Sequence, residues 1–426
     1  MTTATDHIPK LRFSGFNAAW SSREVGDIAK IKHGYAFKGE FFADSGAYVV
    51  LTPGNFQLGG GFRYQGDKEK YYSDPDFPKD YILQRGDLVT AMTEQAVGLI
   101  GSPLVVPEDG KFLHNQRLGL FQFAEGEKTG FLYFSMQTSS MRREFSNSAA
   151  GSKVRHTSPK RIESLPLKIP TLTEQRKIAD FLTAMDGRIG QLIQKKALLE
   201  DYKKGVMQQL FTQAIRFKDD HGNDFPDWEE KKLIDVADSS KKWSFTGGPF
   251  GSNLKSEDYT EDGIRIIQLQ NIGDGEFLND YQIYTSEEKA NELLSCNIYP
   301  GDLILSKMGD PVARACIIPN HEERYVMCSD GIRLAVDESR FDRYFVFCQI
   351  NHRTFRNSAI TAGTGSTRKR IGLTELRELP ILAPSIAEQS KIGNFLTSLD
   401  RKIESVVTQI TETQTFKRGL LQQMFV

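Results

Sequence analysis

Apolar side chains recur at alternating spacings of three and four residues in two long segments of the chain. This spacing places them on one stripe of an α-helix and is typical of a coiled coil. About 40 residues at 1.5 Å each give a helix of roughly 60 Å. An isolated helix would expose its stripe to water, so we expect the two helices to pack against each other. The stripe positions are Leu182, Met185, Ile189, Leu192, Lys196, Leu199, Lys203, Val206 and Leu210 in one segment, and Leu396, Leu399, Ile403, Val406, Ile410, Thr413, Lys417, Leu420 and Met424 in the other.

The two segments are copies of each other. Residues 165–211 align with 379–425 without a gap, at an offset of 214 residues, and 17 of the 47 positions are identical. Each copy opens with a proline and a capping box, Thr171–Glu174 in the first and Ser385–Glu388 in the second. In such a box the hydroxyl caps an amide three residues on, and the glutamate reaches back to the N–H of the cap residue. We therefore predict that both helices start here. The alternative, two ordinary core helices, is less consistent with so regular a heptad period.

The regions before the two helices repeat more faintly. Gly34-x3-Lys38-x3-Phe42 matches Gly251-x3-Lys255-x3-Tyr259, and Gly86-Asp87-Leu88 matches Gly301-Asp302-Leu303, which we interpret as a structural turn. Short β-branched or aromatic runs between turn residues predict strands. The predicted strands are 48–51, 87–91, 119–123, 264–269, 302–305 and 315–318, and the predicted helices are 131–145 and 343–355.

These patterns predict an α+β fold in which two globular modules are joined by two long coiled-coil helices, with an internal pseudo-twofold repeat. The predicted division is a first module at 1–164, a central helix at 165–213, a second module at 214–378 and a C-terminal helix at 379–426.

Composition narrows the possible functions. The net charge is −1 over 426 residues, which argues weakly against a protein that coats nucleic acid by itself. The chain has no apolar run long enough to span a membrane, and its four cysteines form no CxxC pair, so we expect a cytoplasmic protein without a metal. We find no phosphate-binding, nucleophile-elbow or zinc-protease motif and no methyltransferase tetrapeptide, so we expect neither catalysis nor a bound cofactor.

Two basic clusters stand at equivalent places, one before each long helix. Glycine permits close approach of the backbone, and hydroxyls with cations behind it suit phosphate contact. A solvated loop is the alternative for either cluster alone, but two copies at one position favour DNA contact. The cluster residues that we assign to DNA are Ser152, Lys153, Arg155, Ser366, Arg368, Lys369 and Arg370, and Arg142, Arg143, Arg353 and Arg356 are candidates for a wider basic rim.

Four further residues are candidates for DNA contact. Lys38 and Lys255 share a spacing from a glycine, although a surface lysine often has no ligand. Asn55 and Asn271 each follow a predicted strand. A side-chain amide can pair with adenine in the major groove, but an asparagine at this place can equally cap a turn.

The doubled LP…P…EQ…KI…FL…D…I pattern, at 165–189 and 379–403, resembles the specificity (S) subunits of type I DNA restriction–modification enzymes. The openings Leu11-Arg12-Phe13 and Ile215-Arg216-Phe217, each with a tryptophan after it, fit the same family. The resemblance covers nearly the whole chain, in the order recognition domain, helix, recognition domain, helix.

The resemblance implies a non-catalytic subunit in phage defence that directs DNA methylation. Each recognition domain would bind one half of a gapped, bipartite site in double-stranded DNA. The two coiled-coil helices would pack antiparallel and set the gap. The helices would dock two methyltransferase subunits, which carry S-adenosylmethionine, and two motor–nuclease subunits would complete the complex. The helix positions assigned to the coil and to docking are Leu182, Met185, Ile189, Leu192, Leu396, Leu399, Ile403 and Val406. The alternatives are a specificity subunit of another restriction or phage-defence methylation system, a self-sufficient methyltransferase or nuclease, and a coiled-coil adaptor without a DNA role.

Overall fold

The computed structural model describes residues 8–74, 76–125, 129–151, 154–365 and 368–425. Its contacts divide the chain into two compact units, residues 1–194 with 407–426, and residues 195–406. Each unit holds one globular module together with parts of both long helices, so the predicted division along the chain differs from the grouping by packing.

The first unit contains two four-stranded sheets and a two-stranded ribbon. The sheet orders are β2-β9-β6-β7, all antiparallel, and β3-β5-β4-β8, in which β4 and β8 run parallel, while β1 pairs with β10. The strands are β1 Ser21–Glu24, β2 Ala29–His33, β3 Phe42–Ala43, β4 Tyr48–Leu51, β5 Tyr71–Tyr72, β6 Leu88–Ala91, β7 Pro103–Val105, β8 Phe112–His114, β9 Leu118–Phe123 and β10 Pro166–Ile169. The helices are α1 Thr129–Ser135, α2 Ser139–Ser148, α3 Pro159–Glu163 and α4 Leu172–Phe211, of which α4 continues into the second unit.

The second unit repeats this order and adds one helix and one strand. Its sheets are β12-β20-β17-β18 and β13-β15-β14-β19-β16, and β11 pairs with β21. The strands are β11 Glu229–Lys232, β12 Phe245–Gly247, β13 Tyr259–Thr260, β14 Ile264–Ile267, β15 Tyr284–Thr285, β16 Asn297–Ile298, β17 Leu303–Ser306, β18 Ala315–Ile317, β19 Tyr325–Met327, β20 Gly331–Leu334 and β21 Pro380–Ala383. The helices are α5 Glu287–Glu292, α6 Arg343–Asn351, α7 Arg353–Ala362, α8 Leu373–Glu378 and α9 Ile386–Met424.

The same aromatic cluster seats each module on the end of a long helix. In the first unit the Phe131 ring lies 5.6 Å from that of Trp20 and 5.3 Å from that of Phe425. In the second unit Phe345 lies 5.7 Å from Trp228 and from Phe211. Buried aromatic rings supply large apolar area with defined geometry, so these clusters anchor helix to module.

The predicted helical stripes are confirmed in both units. Their eighteen positions are all buried or half-buried. In the first unit Leu182 of α4 shares a core with Leu420, Leu421 and Met424 of α9, and in the second Leu210 and Phe211 share one with Ile392, Leu396 and Leu399. In each unit the start of one helix therefore packs beside the end of the other, which is the predicted antiparallel arrangement.

Two lysines in the stripes make ion pairs between the helices. Lys203 Nζ lies against Asp400 Oδ1 in the second unit, and Lys417 Nζ lies 2.6 Å from Asp186 Oδ1 in the first. The numbers of the two partners add up to 603 in both pairs, so the same antiparallel register holds in each unit. Polar seam residues specify register in this way. The third seam lysine, Lys196, instead pairs with Glu200 on its own helix, at 2.7 Å.

The predicted helix starts are confirmed, but the capping boxes are only half formed. Thr171 and Ser385 accept hydrogen bonds from the backbone N–H groups of Glu174 and Glu388, at 3.4 Å in both cases. The carboxylates of Glu174 and Glu388 instead pair with the guanidinium groups of Arg12 and Arg216. A tertiary ion pair has taken the place of the local return bond.

Two predicted helices are each broken in the structure. The segment 131–145 divides into α1 and α2, and Thr138 caps α2 by accepting from Met141 N. The segment 343–355 divides into α6 and α7, where the His352 side chain accepts from Thr354 N. A side chain that bonds the following backbone starts a new helix, which continuous apolar patterning conceals.

The predicted strands and glycine turns are present, with ends that differ by one or two residues. Gly86 and Gly301 have φ of +91° and +86°, a backbone region that favours glycine. Asp87 and Asp302 accept from the backbone N–H groups of Gln84 and Tyr299. The structural interpretation of these turns is therefore confirmed. No helix in the described part of the chain is long and apolar enough to cross a membrane.

Candidate nucleic-acid interface

Both predicted basic clusters lie in short hairpins of the same geometry. Ala150 and His156 exchange backbone hydrogen bonds of 2.9 and 2.8 Å, and Thr364 and Arg370 exchange bonds of 2.8 and 2.9 Å. The hairpins turn at Gly151 and Gly365, with φ of +116° and +98°; a Cβ atom on Gly151 would lie 2.4 Å from the Val154 carbonyl oxygen. Glycine is therefore required by the backbone itself.

Each hairpin is held against the loop that follows a sheet strand, β6 in the first unit and β17 in the second. In the first, Glu94 N donates to Arg155 O and Thr157 N donates to Met92 O, both at 2.9 Å. In the second, Gly309 N donates to Lys369 O at 3.3 Å, and Ile371 N donates to Lys307 O at 2.9 Å. The backbone bonds fix the hairpin, so its outward side chains project from a defined frame.

The described residues of the second hairpin include three cationic side chains. Arg368 is exposed and Lys369 is half-buried. Arg370 is 56% exposed and its Nη2 lies 3.0 Å from Asp330 Oδ1. The predicted contacts Ser152, Lys153 and Ser366 lie outside the described residues.

Arg155, on the first hairpin, is largely occupied within the module. Its Nη1 lies 3.4 Å from Glu94 Oε2, and its Nη2 donates to the Ser146 carbonyl and, at 3.2 Å, to the Ser146 hydroxyl. These contacts hold the hairpin to the neighbouring loop and helix. A phosphate would have to compete with them for the guanidinium group.

Lys38 and Lys255 occupy one position in the two modules. Each precedes a 3₁₀ turn, Gly39–Phe41 and Ser256–Asp258, and each side chain is exposed. Lys255 Nζ lies 3.2 Å from Glu257 Oε1, a solvated pair that a stronger anion can displace. Their role in DNA contact stays a prediction.

The sequence comparison matched Gly34, the glycine before Lys38, to the wrong glycine of the second module. Gly34 corresponds to Gly248 and not to Gly251. A Cβ on Gly34 would lie 2.0 Å from Asn115 O, and one on Gly248 would lie 1.7 Å from Cys328 O. Both carbonyls follow the strand that pairs in parallel, β8 or β19. Because Lys38 is four residues after its glycine and Lys255 is seven after its own, the second module has three additional residues here. The longer loop carries Phe250, which is 82% exposed.

Asn55 and Asn271 are turn caps, not base readers. Both are fully buried, and their Oδ1 atoms accept from the backbone N–H groups of Thr52 and Gln268 at 2.9 Å. Asn55 Nδ2 donates to the Glu69 carboxylate, and Asn271 Nδ2 donates to the carbonyls of Leu278 and Tyr281. A buried amide with its donor and acceptor atoms engaged has no edge to offer to adenine.

Two arginines of the expected basic rim make contacts within their own module; Arg356 is buried and Arg142 is half-buried. Arg142 donates to Ser102 Oγ at 3.0 Å and to the Gly98 carbonyl. Arg356 donates to the Val312 carbonyl at 3.2 Å and pairs with Asp274 at 2.5 Å, and burial lowers its pKa to about 10. The two residues are 214 positions apart. Arg142 ties helix α2 to the loop after β6, and Arg356 ties helix α7 to the loop after β17. They brace the interface without contributing exposed charge.

Sequence reasoning missed one pair of positions beside the hairpins. Met92 N donates to Arg117 O at 2.9 Å in the first unit, and Lys307 N donates to Asp330 O at 2.7 Å in the second. Arg117 and Asp330 therefore occupy the same place, in the turn between β8 and β9 or between β19 and β20. No sequence signal aligns them because their side chains are opposite in charge. The neighbouring Lys307 is partly buried, which lowers its pKa, and its Nζ donates to the Ser329 carbonyl at 3.0 Å.

The helix residues assigned to docking are used inside the chain. Leu182, Leu192, Leu396, Leu399 and Val406 are buried, and Met185, Ile189 and Ile403 are half-buried. They form the coil, as expected, but offer little surface to another subunit. The long helices expose the apolar side chains of Leu172, Ile193, Leu198, Tyr202, Ile386, Val407 and Phe416, which are 39 to 61% exposed.

Comparison with known proteins identifies the family of the chain. The Type I restriction modification DNA specificity domain matches it twice, at residues 17–201 and 226–413. The chain belongs to this family. Each match covers most of one module and most of the long helix after it, in the order of the internal repeat.

Relatives and solved structures of this family agree in organisation. The chain is 24% identical over 284 residues to the type I restriction enzyme MjaVIII specificity subunit of Methanocaldococcus jannaschii, an alignment that covers 64% of each protein. It is 21% identical to the EcoBI specificity subunit of Escherichia coli, over 95% of this chain and 84% of that protein. The chain thus spans just under two thirds of the MjaVIII subunit.

The fold is that of solved S subunits. The crystal structure of the type I restriction–modification system S subunit from M. genitalium superposes with a TM-score of 0.56 at 15% identity, over 98% of this chain and 99% of that one. A chain from a structure of type I complex assembly and conformational transition gives 0.55 at 16% identity, over 94% and 96%. The predicted architecture of two α+β modules with two long helices is therefore confirmed.

Proposed function

We propose that this protein is the DNA-specificity subunit of a type I restriction–modification complex. Each module binds one half of a gapped, bipartite target in double-stranded DNA, and the antiparallel helices set the spacing between the halves. The chain itself performs no chemistry; it directs where partner subunits methylate or cut.

The observation that carries this proposal is the duplicated hairpin. Two modules of the same family domain hold a glycine-turned hairpin on the same backbone bonds, yet the side chains on it differ. A common frame with variable side chains suits two readers of different sequences. A basic hairpin supplies phosphate contacts that position the reader, and neighbouring side chains reach base edges.

Partner subunits account for the exposed apolar side chains of the long helices. Leu198 and Tyr202 lie four residues apart on α4, a spacing that puts them on one helix face. We assign this face, together with Val407 and Phe416 on α9, to two methyltransferase subunits. Those subunits would carry S-adenosylmethionine, and two motor–nuclease subunits would complete a complex that works on DNA in the cytoplasm. A near-neutral net charge is consistent with partners that enclose the DNA jointly.

The methylome tests the proposal. Cells carrying this chain with its neighbouring methyltransferase gene are compared with cells lacking only this chain. We expect a gapped two-part adenine motif that disappears with the chain. Unchanged methylation would contradict DNA recognition for modification and would leave the coiled-coil adaptor as the better description.

A catalytic alternative has its own test. Purified chain is incubated with DNA and labelled S-adenosylmethionine, and no transfer of label is expected. Turnover by the pure chain would contradict the non-catalytic assignment. Another restriction or phage-defence methylation system would use a chain of the same kind, and the neighbouring genes distinguish that case.

A further inference from the structure

We infer that Arg117 and Asp330 are the equivalent base-reading positions of the two modules, with Arg117 recognising guanine and Asp330 recognising cytosine. This inference rests on the proposed function and specifies which side chains give each module its own sequence preference.

The first argument is that the two residues share one backbone position. Each carbonyl accepts from the first residue after the strand neighbouring the hairpin, Met92 after β6 or Lys307 after β17. The carbonyl of that same residue accepts from the end of the hairpin, Thr157 or Ile371. Three backbone segments therefore lie side by side in both modules, and position 117 or 330 is adjacent to the predicted phosphate contacts.

The second argument is that the side chain at this position differs in charge between the two modules, although the surrounding backbone has the same arrangement in both. Arg117 is exposed, and Asp330 is partly exposed, with 23% of its side chain accessible. A guanidinium group donates two hydrogen bonds to O6 and N7 of guanine, and a carboxylate accepts from the N4 amino group of cytosine. Each side chain thus reads a different base edge from the same place.

The third argument concerns an acid on a DNA-binding face. A carboxylate near phosphates is repelled, so Asp330 weakens binding to any sequence unless its charge is compensated. Arg370 supplies that compensation, since its Nη2 lies 3.0 Å from Asp330 Oδ1. The pair holds the carboxylate in one orientation, as expected for an acceptor held ready for a base.

The surroundings of Asp330 are also specific to the second module. Asp330 lines a recess of about 180 Å³ whose wall includes Phe250, Tyr259 and Gln268. Phe250 belongs to the loop that is three residues longer than its counterpart. An exposed ring at the mouth of this recess offers an apolar surface to a base next to the one that Asp330 reads, such as the methyl group of thymine.

The test is the methylation motif of the assembled complex in cells, with Asp330→Asn and Arg117→Gln compared with the unchanged chain. We expect Asp330→Asn to relax one base pair in one half-site, with its preference lowered about tenfold or more, and the other half-site unchanged. Arg117→Gln should relax one base pair in the opposite half-site. The matched controls are Asp280→Asn and Arg85→Gln, both exposed residues of the same modules, which should leave both halves unchanged.

The outcomes separate this inference from the proposed function. If the unchanged chain directs a two-part motif and both variants keep it with full preference, the base-reading assignment is wrong while the function stands. If a variant loses methylation at every sequence and its unfolding temperature falls, that residue has a structural role only, and the assignment is wrong for it. If the unchanged chain directs no motif, the proposed function fails and this inference fails with it.

Discussion

Arg12 donates two hydrogen bonds to Glu174, from Nε to Oε1 at 2.6 Å and from Nη2 to Oε2 at 2.7 Å. Glu174 is completely buried and lies in the first turn of α4. The neighbouring Leu11 N donates to Gln423 O at the end of α9, at 2.9 Å. The segment that contains Leu11 and Arg12 therefore contacts the beginning of one long helix and the end of the other.

The second unit has the corresponding ion pair and backbone hydrogen bond. Arg216 Nη2 lies 2.7 Å from Glu388 Oε2 and Ile215 N donates to Gln209 O at 3.3 Å. Trp228 Nε1 also donates to Glu388, at 3.2 Å. The hydrogen bond to the glutamate raises the pKa of Arg12 and of Arg216, so both arginines remain charged at neutral pH.

Removing Arg12 should destabilise the first unit strongly. Arg12→Ala leaves a buried carboxylate without its partner, which costs about 3–5 kcal/mol. Denaturant unfolding of the chain measures the loss, and Arg23→Ala, at an exposed strand residue, is the matched control. The double variant Arg12→Met with Glu174→Leu should be more stable than Arg12→Ala, because no charge stays buried. A double variant that is as unstable as the single one would contradict the charge argument.

Exchanging the charges of a seam pair should restore the stability that reversing one of them removes. Lys417→Asp puts two carboxylates together in the first unit, and the added Asp186→Lys rebuilds the pair with opposite polarity. For a partly exposed pair we expect a difference of about 1 kcal/mol between the single and double variants. The same exchange at Lys196 and Glu200, on one helix surface, should change stability by less than about 0.5 kcal/mol. Equal effects at the two sites would mean that Lys417 contributes nothing to register.

Reversing two hairpin charges should weaken DNA binding and leave assembly intact. Arg368→Glu with Lys369→Glu removes two candidate phosphate contacts, so the salt dependence of binding, d log K/d log[salt], should become shallower by about two. Arg370 is left in place because it pairs with Asp330. Titration of labelled DNA at several salt concentrations gives the slope, and Lys241→Glu with Lys242→Glu is the control, at exposed lysines elsewhere in the module. An unchanged slope would remove the hairpin from the interface.

Shortening both helices by one heptad should shorten the gap in the DNA target without changing either half-site. Deleting 191–197 and 405–411 removes about 10.5 Å from each helix, which is about three base pairs. Both seam ion pairs survive, since Asp186 and Lys417 lie on one side of the deletions and Lys203 and Asp400 on the other. The methylome of the shortened complex reports the gap. A changed half-site sequence with the original gap would contradict the spacer role.

Acid should destabilise the first unit through His114. Burial lowers the pKa of this histidine from 6.5 to about 4, and its Nε2 bonds the Leu118 carbonyl at 3.0 Å. Nδ1 has no hydrogen-bond partner among the described residues. Because the unfolded chain takes up the proton first, stability is full above pH 6.5 and falls as the pH drops toward 4, by about 3 kcal/mol.

The measurement is unfolding free energy against pH for the unchanged chain and for His114→Gln. The variant should lose much of the slope between pH 6.5 and 4. His221→Gln, at an exposed histidine, should keep it. The same slope in His114→Gln would show that other groups produce the acid sensitivity.

The sequence by itself determined the two long helices, the repeat and the place of the two basic clusters. Heptad spacing at positions such as Leu182 and Leu396 depends on neighbours three and four residues away, and the turn glycines Gly151 and Gly365 act within a few residues. Such local rules can be read along the chain. They yielded the architecture and, with the resemblance, the family.

Only the tertiary structure decided which side chains face outward. Asn55 and Arg356 looked like candidate contacts, but the folded module buries both side chains. The equivalence of Arg117 and Asp330 depends on a backbone bond to another strand, and opposite charges hide it from alignment. Glu174 was expected to bond its own cap and instead binds Arg12, because a buried ion pair with an arginine 162 residues away replaces the local bond. Long-range pairing of this kind has no period along the sequence, so the structure alone could show it.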